Sequence, residues 1–104
     1  MKQFDIYLIN LNPTRGSEIN KKRPAVIVSP DEMNKHLKTV IIAPLTHSIK
    51  NYPSRVASDF DGQLGEIALD QLRAVDKSRL TKKLGRLDAA TAADIKSVLR
   101  TMFS

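Results

Sequence analysis

The stretch Thr39-Val40-Ile41-Ile42-Ala43 is the apolar centre of this sequence, and it predicts the middle strand of a β-sheet. β-Branched residues favour extended backbone, and a short run that is apolar at successive positions is typical of a strand buried on both faces. We expect Pro44 to bend the exit of this strand. Leu45-Thr46-His47-Ser48 would then stand at its end, where a rigid element can present side chains to a ligand.

Other strands are predicted on either side of this run. Phe4, Ile6 and Leu8 alternate with more polar residues, which indicates a half-buried strand. Pro24 starts a second strand, Ala25-Val26-Ile27-Val28, since a proline at the first strand position loses no ladder hydrogen bond. Shorter strands are predicted at Ser54–Ala57, Glu66–Gln71, Arg73–Val75 and Leu80–Leu84. Several short strands in close succession predict a compact, mainly β barrel.

Two helical segments accompany the strands. Residues Asp31 to Leu37 could form a short helical turn. From Asp88 the apolar period changes, and one stripe of an α-helix is predicted, with Asp88 as its N-cap. The residues of the stripe are Ile95, Val98, Leu99 and Met102. We expect this helix to plug or flank the barrel.

Length and charge restrict the classes of function. The 104 residues leave room for one domain, and 17 Lys and Arg against 11 Asp and Glu give a net charge of +6. Such a basic surface favours polyanions, so nucleic acid is the leading partner class. The plainer alternative is that the charge only keeps the protein in solution. With two Tyr, three Phe and no Trp, the chain has no aromatic-rich surface for stacking bases.

The residue types that are absent narrow the chemistry further. Without cysteine the chain can form no disulfide, thiolate nucleophile or thiolate zinc site, and His36 and His47 lack metal-ligand spacing. We therefore expect a protein without metal or cofactor. The longest apolar run is too short to cross a bilayer and the first residues do not resemble a secretory signal, so we expect a cytoplasmic location.

Arg23, Thr46 and His47 are candidates for catalysis of phosphodiester chemistry. The guanidinium of Arg23, beside the stiff Pro24, matches the two non-bridging oxygens of a phosphate, although it could be an ordinary surface arginine. Thr46 could donate a hydrogen bond to a phosphoryl oxygen, and His47 could exchange a proton near neutral pH. These two serve one site only if the strand has already ended, because neighbours on a strand face opposite ways.

Two carboxylates and a set of polar residues complete the predicted site. Glu18 and Asp70 could each act as base or orient an arginine, or could simply be solvated. A track of cations for RNA phosphates is predicted from Arg15, Lys21, Lys22, Lys50, Arg55 and Arg73. Further predicted RNA contacts are Ser17, Ser48 and Gln71.

An ordered set of short motifs resembles the MazF/PemK toxin family. The first is Asn12-Pro13-Thr14-Arg15-Gly16-Ser17-Glu18 followed by Arg23-Pro24-Ala25-Val26. Later blocks in the family's order are Ala43-Pro44-Leu45-Thr46, Tyr52-Pro53-Ser54-Arg55-Val56 and Ala68-Leu69-Asp70-Gln71. The set spans nearly the whole chain.

This resemblance implies a fold and an activity. The fold would be an SH3-like antiparallel barrel of the CcdB/PemK type with a C-terminal helix, assembled as a homodimer. The activity would be metal-independent cleavage of single-stranded RNA at short motifs, leaving 2′,3′-cyclic phosphate and 5′-hydroxyl ends. Arg23 would act as the acid-base or charge-stabilising cation and Thr46 as the phosphoryl-binding hydroxyl. A cognate antitoxin with an acidic, flexible segment would block the basic groove.

The sequence departs from the family pattern in places, and two other functions stay open. The glycine often found before the arginine is replaced by Asn20-Lys21-Lys22, and Ser17 and Ala68 stand where PemK-branch members have His and Arg. One alternative is a gyrase poison of the CcdB type, but those proteins end in Trp-Gly-Ile and this chain ends in Thr101-Met102-Phe103-Ser104. The other is a passive nucleic-acid-binding module.

Overall fold

A computed structural model describes residues 1–10 and 22–104 of the chain. The strands in these residues are β1 (Asp5–Asn10), β2 (Lys22–Ile27), β3 (Thr39–Thr46), β4 (Arg55–Phe60), β5 (Gln63–Ala68), β6 (Arg73–Asp76) and β7 (Leu80–Arg86). The helices are α1 (Asp31–His36) and α2 (Ala89–Met102), and two short 3₁₀ turns cover Leu69–Gln71 and Lys77–Arg79.

The strands form one antiparallel, strongly curved sheet that is close to a half-barrel, as predicted. Its order is β4-β5-β3-β2-β1-β7, and β6 pairs with β3. β3 is the central strand: its first half pairs with β6, its middle with β2, and Leu45 and Thr46 pair with β5. The strand runs three residues further than the predicted segment Thr39–Ala43. Pro44 still lies opposite Ala25 of β2, and β3 continues until Thr46 because β5 takes over the pairing at Leu45.

Hydrophobic residues are buried on both faces of this sheet. The first cluster packs under α2, whose buried residue Ile95 joins Ile6 and Val26. The second lies on the opposite face, enclosed by the curvature of the strands, and includes Ile9 and Ile42. The prediction of a strand buried on both sides therefore holds for β3, and it extends to β1 and β2.

Burial on both faces overturns the predicted alternation of the first strand. Ile6 and Ile9 are fully buried, whereas Leu8 is only partly buried. Simple alternation assumes that one face meets water, but Ile6 belongs to the first cluster and Ile9 to the second. The pairing of β1 with β7 is also irregular, with register shifts at which β7 carries the extra residues Thr81 and Leu84.

Several strand boundaries differ from the predicted ones. β2 begins at Lys22, so Pro24 is its third residue, at a point where only β1 pairs with it in the described register. β4 runs on to Phe60 and β5 starts at Gln63, which leaves a turn of two residues between them. Strands in a hairpin stay paired up to the turn when the turn fits their twist. The sequence alone is a poor guide to where such strands end.

The C-terminal helix begins where it was predicted to begin, and its apolar stripe agrees with the prediction except at one position. The Asp88 carboxylate accepts a hydrogen bond from the Thr91 amide at 2.8 Å, so Asp88 is the N-cap. Val98 and Leu99 pack against the first cluster. Met102 is exposed, so the predicted stripe does not reach the core at the last turn of the helix. In the described stretches, no helix is both long and apolar enough to span a membrane.

A buried carboxylate joins the first strand to the last. Asp5 is 2% exposed and pairs with Arg86 at 3.1 Å and Lys83 at 3.5 Å. Burial raises the pKa of Asp5, but the hydrogen bond from the Lys2 amide and the two cations outweigh it, so the pKa lies below its ordinary value. Lys83 and Arg86 therefore serve the fold.

At Gly65 the backbone of β5 lies so close to the end of β3 that there is no room for a side chain. A Cβ atom added to Gly65 would lie 2.4 Å from the Thr46 carbonyl oxygen, whereas one added to Gly85 would meet only Phe60 Cε1 at an ordinary 3.6 Å. We expect Gly65→Ala to lower the free energy of unfolding by about 1–3 kcal/mol, because the backbones must separate. Gly85→Ala, the matched control, should leave it nearly unchanged. Urea denaturation measures both, and equal stability of the two variants would contradict the contact.

Candidate active site

Arg23 and Thr46 lie at the same end of the sheet. Arg23 is the exposed second residue of β2, opposite Ile9 of β1. Thr46 is the last residue of β3. β2 and β3 pair from Ile27 with Ile42 to Ala25 with Pro44, so the start of β2 and the end of β3 lie at the same end of the sheet. Arg23 and Thr46 each lie two residues beyond the pair Ala25–Pro44, and alternation along the strands predicts the same side of the sheet for both.

The Thr46 hydroxyl is oriented by its own strand end. Its oxygen accepts a hydrogen bond from the Ser48 amide at 3.1 Å. A hydroxyl has one proton to donate and two lone pairs to accept, so this contact uses a lone pair and leaves the proton for another acceptor. The arrangement suits donation to a phosphoryl oxygen beside the half-buried Thr46.

His47 and Ser48 follow directly after β3 and are exposed. Because the strand ends at Thr46, the alternation rule no longer separates neighbouring side chains here. Thr46 and His47 line one cavity together. The condition under which both residues could serve one site is thus met.

A buried carboxylate, Glu66, anchors the loop that carries these residues. It lies opposite Thr46 on β5, and its two oxygens accept hydrogen bonds from the amides of Lys50 and Asn51, each at 3.0 Å. Arg55 also donates to it at 3.2 Å. Sequence reasoning missed Glu66. Its acidic side chain inside the otherwise apolar run Gly65–Ala68 is the one signal that could have singled it out.

Arg55 connects Glu66 to Asp70. Its Nε donates to Asp70 Oδ1 at 2.7 Å, its side chain is only 6% exposed, and its guanidinium lies 5.2 Å from the centre of the Tyr52 ring. The hydrogen bond to Asp70 raises the pKa of Arg55. These contacts hold Arg55 within the protein, which favours a structural bridge over the predicted place in an RNA track.

The two carboxylates of this network are held in the ionised form. Hydrogen bonding from the Lys50 amide, then from Asn51 and Arg55, lowers the pKa of Glu66 below its ordinary value despite burial. For Asp70 the leading cause is the hydrogen bond from Arg55, which also lowers the pKa, and Ser54 adds a second hydrogen bond. A carboxylate so stabilised is a weaker base than a free one.

The remaining predicted residues spread around this centre. Lys22 is exposed beside Arg23, and Lys50 is exposed in the loop held by Glu66. Gln71 is exposed next to Asp70. Arg73 is exposed opposite Ile42 on β3, about 13 Å along the strand from Thr46 at its usual rise. Arg15, Ser17, Glu18 and Lys21 lie outside the described residues.

A cavity of about 210 Å³ opens beside this end of the sheet. Pro24, Thr46 and His47 line one side of it, and Phe60 and Gln63 of the β4–β5 hairpin line another. Over residues 1–10 and 22–104, no group of three or more His, Asp or Glu side chains could hold a metal ion. The described residues at this end of the sheet thus offer a cation, a hydroxyl and an imidazole.

Known proteins share this arrangement of strands and much of the sequence. An endoribonuclease MazF from Staphylococcus saprophyticus is 33% identical over 95% of this chain and 88% of its own length. Endoribonuclease MazF9 from Mycobacterium tuberculosis is also 33% identical, over 96% of this chain and 93% of its own. A solved mycobacterial endoribonuclease in complex with its cognate antitoxin superposes with a TM-score of 0.84 at 25% identity, covering 99% of this chain and 94% of the other.

The match to the family itself is almost complete. The family described as PemK-like, MazF-like toxin of type II toxin-antitoxin system matches residues 2–103. This range includes Arg23 and Thr46 as well as the Glu66 network. Because the family match covers residues 2–103 and two relatives are each 33% identical to this chain, the chain belongs to the PemK-like, MazF-like toxin family of type II toxin–antitoxin systems.

Proposed function

We propose that this protein is a cytoplasmic toxin that cleaves single-stranded RNA without a metal ion, with Arg23 and Thr46 at the catalytic centre. The observation that supports this proposal is the antiparallel pairing of Ala25 with Pro44, because it puts the start of β2, with Arg23, and the end of β3, with Thr46, at one end of the sheet. Relatives named endoribonuclease MazF support the reaction class. A gyrase poison is not favoured, because these relatives bear the name of an RNA-cleaving enzyme.

The chemistry follows from the groups present. The 2′-oxygen of the substrate attacks the adjacent phosphorus, and the bond from phosphorus to the 5′-oxygen of the next nucleotide breaks. One proton leaves the 2′-hydroxyl and one reaches the departing 5′-oxygen, giving 2′,3′-cyclic phosphate and 5′-hydroxyl ends. Arg23 stabilises the charge that builds on the non-bridging oxygens, and the Thr46 hydroxyl donates to one of them.

The local contacts rank the candidates for proton transfer. Asp70 is tied to Arg55 and has a lowered pKa, so it is poorly suited to accept a proton. His47 is exposed beside Thr46, and its imidazole has a ring nitrogen that can accept a proton and another that can donate one. We assign proton transfer to His47, with Arg23 as its partner, and a supporting role to Asp70.

The partners follow from charge and from the related complexes. With a net charge of +6, the surface attracts RNA and also an acidic, flexible segment of a cognate antitoxin. A solved relative is described in complex with its cognate antitoxin. We propose that the protein acts as a homodimer, in which a second copy widens the basic surface available to one RNA strand.

Replacing either central side chain should abolish or weaken cleavage. We expect Arg23→Ala to slow cleavage of a single-stranded RNA by at least about 100-fold and Thr46→Val by about 10- to 100-fold, since both remove stabilisation of developing charge. Gel analysis of RNA in the presence of EDTA measures the rates, and end-group analysis identifies the cyclic phosphate.

The matched control for this experiment is Arg100→Ala, which removes the same charge from the exposed last turn of α2. It should cleave as the wild type does. Undiminished cleavage by a folded Arg23→Ala variant would refute the assigned role.

The anchoring carboxylate should make stability depend on pH. Because the pKa of Glu66 is lowered by folding, the unfolded chain takes up this proton first as the pH falls. The stabilisation that ionised Glu66 gives to the folded protein is complete above the pKa of the unfolded chain, about 4.3. It disappears as the pH falls through the lower pKa of the folded protein. Glu66→Gln should therefore lower the melting temperature and slow cleavage at pH 7, because the loop behind Thr46 loses its charged anchor.

The measurement compares the melting temperatures of the wild type and Glu66→Gln between pH 7 and pH 3. The gap between wild type and Glu66→Gln should stay constant down to about pH 5 and narrow below about pH 4. Glu32→Gln, the same change at a carboxylate with 79% exposure, should show almost no gap. A gap for Glu66→Gln that stays constant over the whole range would contradict the proposed anchor.

A further inference from the structure

The strands at the two ends of the sheet differ in how they are protected against further pairing. β7 lies at one end of the strand order and β4 at the other. β7 carries Lys82 and Lys83, and register shifts interrupt its pairing with β1. Lysines and bulges are common means by which proteins keep an edge strand from pairing with another chain. β4 has neither, because six consecutive residue pairs join it to β5 without a shift and its sequence contains no lysine.

The free edge of β4 offers backbone hydrogen-bonding groups. Asp61 and Gly62, with φ angles of 55° and 72°, join β4 to β5 by a turn of type I′. The pair next to such a turn exchanges hydrogen bonds and the pairs then alternate, so the N–H and C=O groups of Ala57 and Asp59 point away from β5. Both residues are exposed. Within the part of the chain that the structure describes, no other element accepts a hydrogen bond from these two amides.

A groove runs beside this edge, between β4 and α2. Two neighbouring cavities, of about 230 and 280 Å³, form it. Each has several times the ~30 Å³ that one water molecule occupies, so each has room for a side chain. The residues of β4 along this edge groove are Val56, Ala57, Ser58 and Asp59. Those of α2 and its N-cap recur every three positions along one flank of the helix and are Asp88, Thr91, Asp94 and Ser97.

The edge groove is acidic although the protein is basic. Asp59, Asp88 and Asp94 line it, and none of these three carboxylates forms an ion pair within the described residues. The two arginines in its lining, Arg55 and Arg86, are already bound to carboxylates of the fold. The groove therefore favours a cationic ligand.

A buried hydroxyl opens into the groove without a partner. Ser58 is 7% exposed, and its hydroxyl takes part in no hydrogen bond over residues 1–10 and 22–104. Every side-chain oxygen there that is sealed from solvent has a partner, so the Ser58 hydroxyl opens into the space that Ser58 lines, which includes the edge groove. A polar group so deeply buried gains from a ligand that can form a hydrogen bond with it.

We propose that the edge groove binds an extended segment of a partner protein, rich in lysine or arginine, that adds to β4 as a further strand. The backbone of the segment pairs with Ala57 and Asp59, and its cationic side chains meet the three free carboxylates. Because β4 has six residues, a segment of about six residues fills the groove. Neither Arg23 nor Thr46 lines the groove, so this inference does not rest on the proposed function.

The first test uses two synthetic peptides of opposite charge. The probe is the acetylated and amidated hexapeptide Lys-Val-Lys-Val-Lys-Val, and the control is Glu-Val-Glu-Val-Glu-Val. NMR follows the backbone amides of the full-length protein as each peptide is added at low salt. With the basic peptide, the amides of Ala57 and Asp59 should shift and their exchange with deuterium should slow by at least about tenfold, because they become hydrogen bonded. The amide of Lys82 on β7 should not change.

Two variants separate the backbone from the charges. Ala57→Pro removes a donor at the free edge and no hydrogen bond to β5, so it should fold and bind the basic peptide at least about tenfold more weakly. Asp94→Asn changes the exposed surface of α2 without touching the sheet, and it should weaken binding about two- to fivefold at low salt. Glu32→Gln, the matched control, removes an exposed carboxylate from α1 and should bind as the wild type does.

Three results would overturn the proposal. They are equal binding of the two peptides, unslowed exchange at Ala57 and Asp59, and unchanged affinity of both Ala57→Pro and Asp94→Asn. Shifts of the same amides when the protein alone is concentrated would assign the edge to a second copy of the chain, which would also overturn it. Arg23→Ala should bind the basic peptide as the wild type does, so failure of the proposed function would leave this test unaffected.

Discussion

The structure depends on a strand that is buried on both faces and changes partners along its length. β3 pairs first with β6, then with β2 and finally with β5. Buried side chains on each face fix its register, since a slip of one residue would exchange the two faces. The last change of partner leaves Thr46 between β5 and the start of β2, where Arg23 lies. The position of the proposed centre is thus a result of how the sheet is closed.

The basic composition serves both the fold and the surface. Arg55 is bound to two carboxylates, and Lys83 and Arg86 are bound to Asp5. A cation bound to a carboxylate is held in one orientation, and it has fewer hydrogen-bond donors left for a phosphate than an exposed cation has. Net charge therefore overstates the charge available to RNA, and the exposed Arg23 and Arg73 are better placed to meet the backbone.

Much of the fold could be predicted from the sequence, because its strongest patterns are local. The apolar run of β3 and the stripe of α2 each lie within one element and identify it. The alternation in β1 gave a wrong prediction of its buried residues, because neighbouring elements cover both faces of the strand. That covering cannot be seen within the strand's own sequence. The prediction that Arg23 and Thr46 belong to one site rested on the family resemblance, since no pattern within a single strand relates them. The contact of Glu66 with Arg55 needs a hairpin register in the same way: an acidic residue inside an apolar run marks Glu66, but nothing local identifies Arg55 as its partner.

The loop after β3 is held through its main chain. The Glu66 carboxylate accepts hydrogen bonds from the backbone amides of residues 50 and 51. The side chains of these two residues take no part in the hydrogen bonds. Substitutions that keep the amide leave this attachment in place, and only proline would remove a donor. Asn51 has the further constraint of a φ angle of 57°, which asparagine and glycine tolerate well. In evolution, such a loop can exchange its surface chemistry, and with it the targets of the protein, without a new scaffold having to arise.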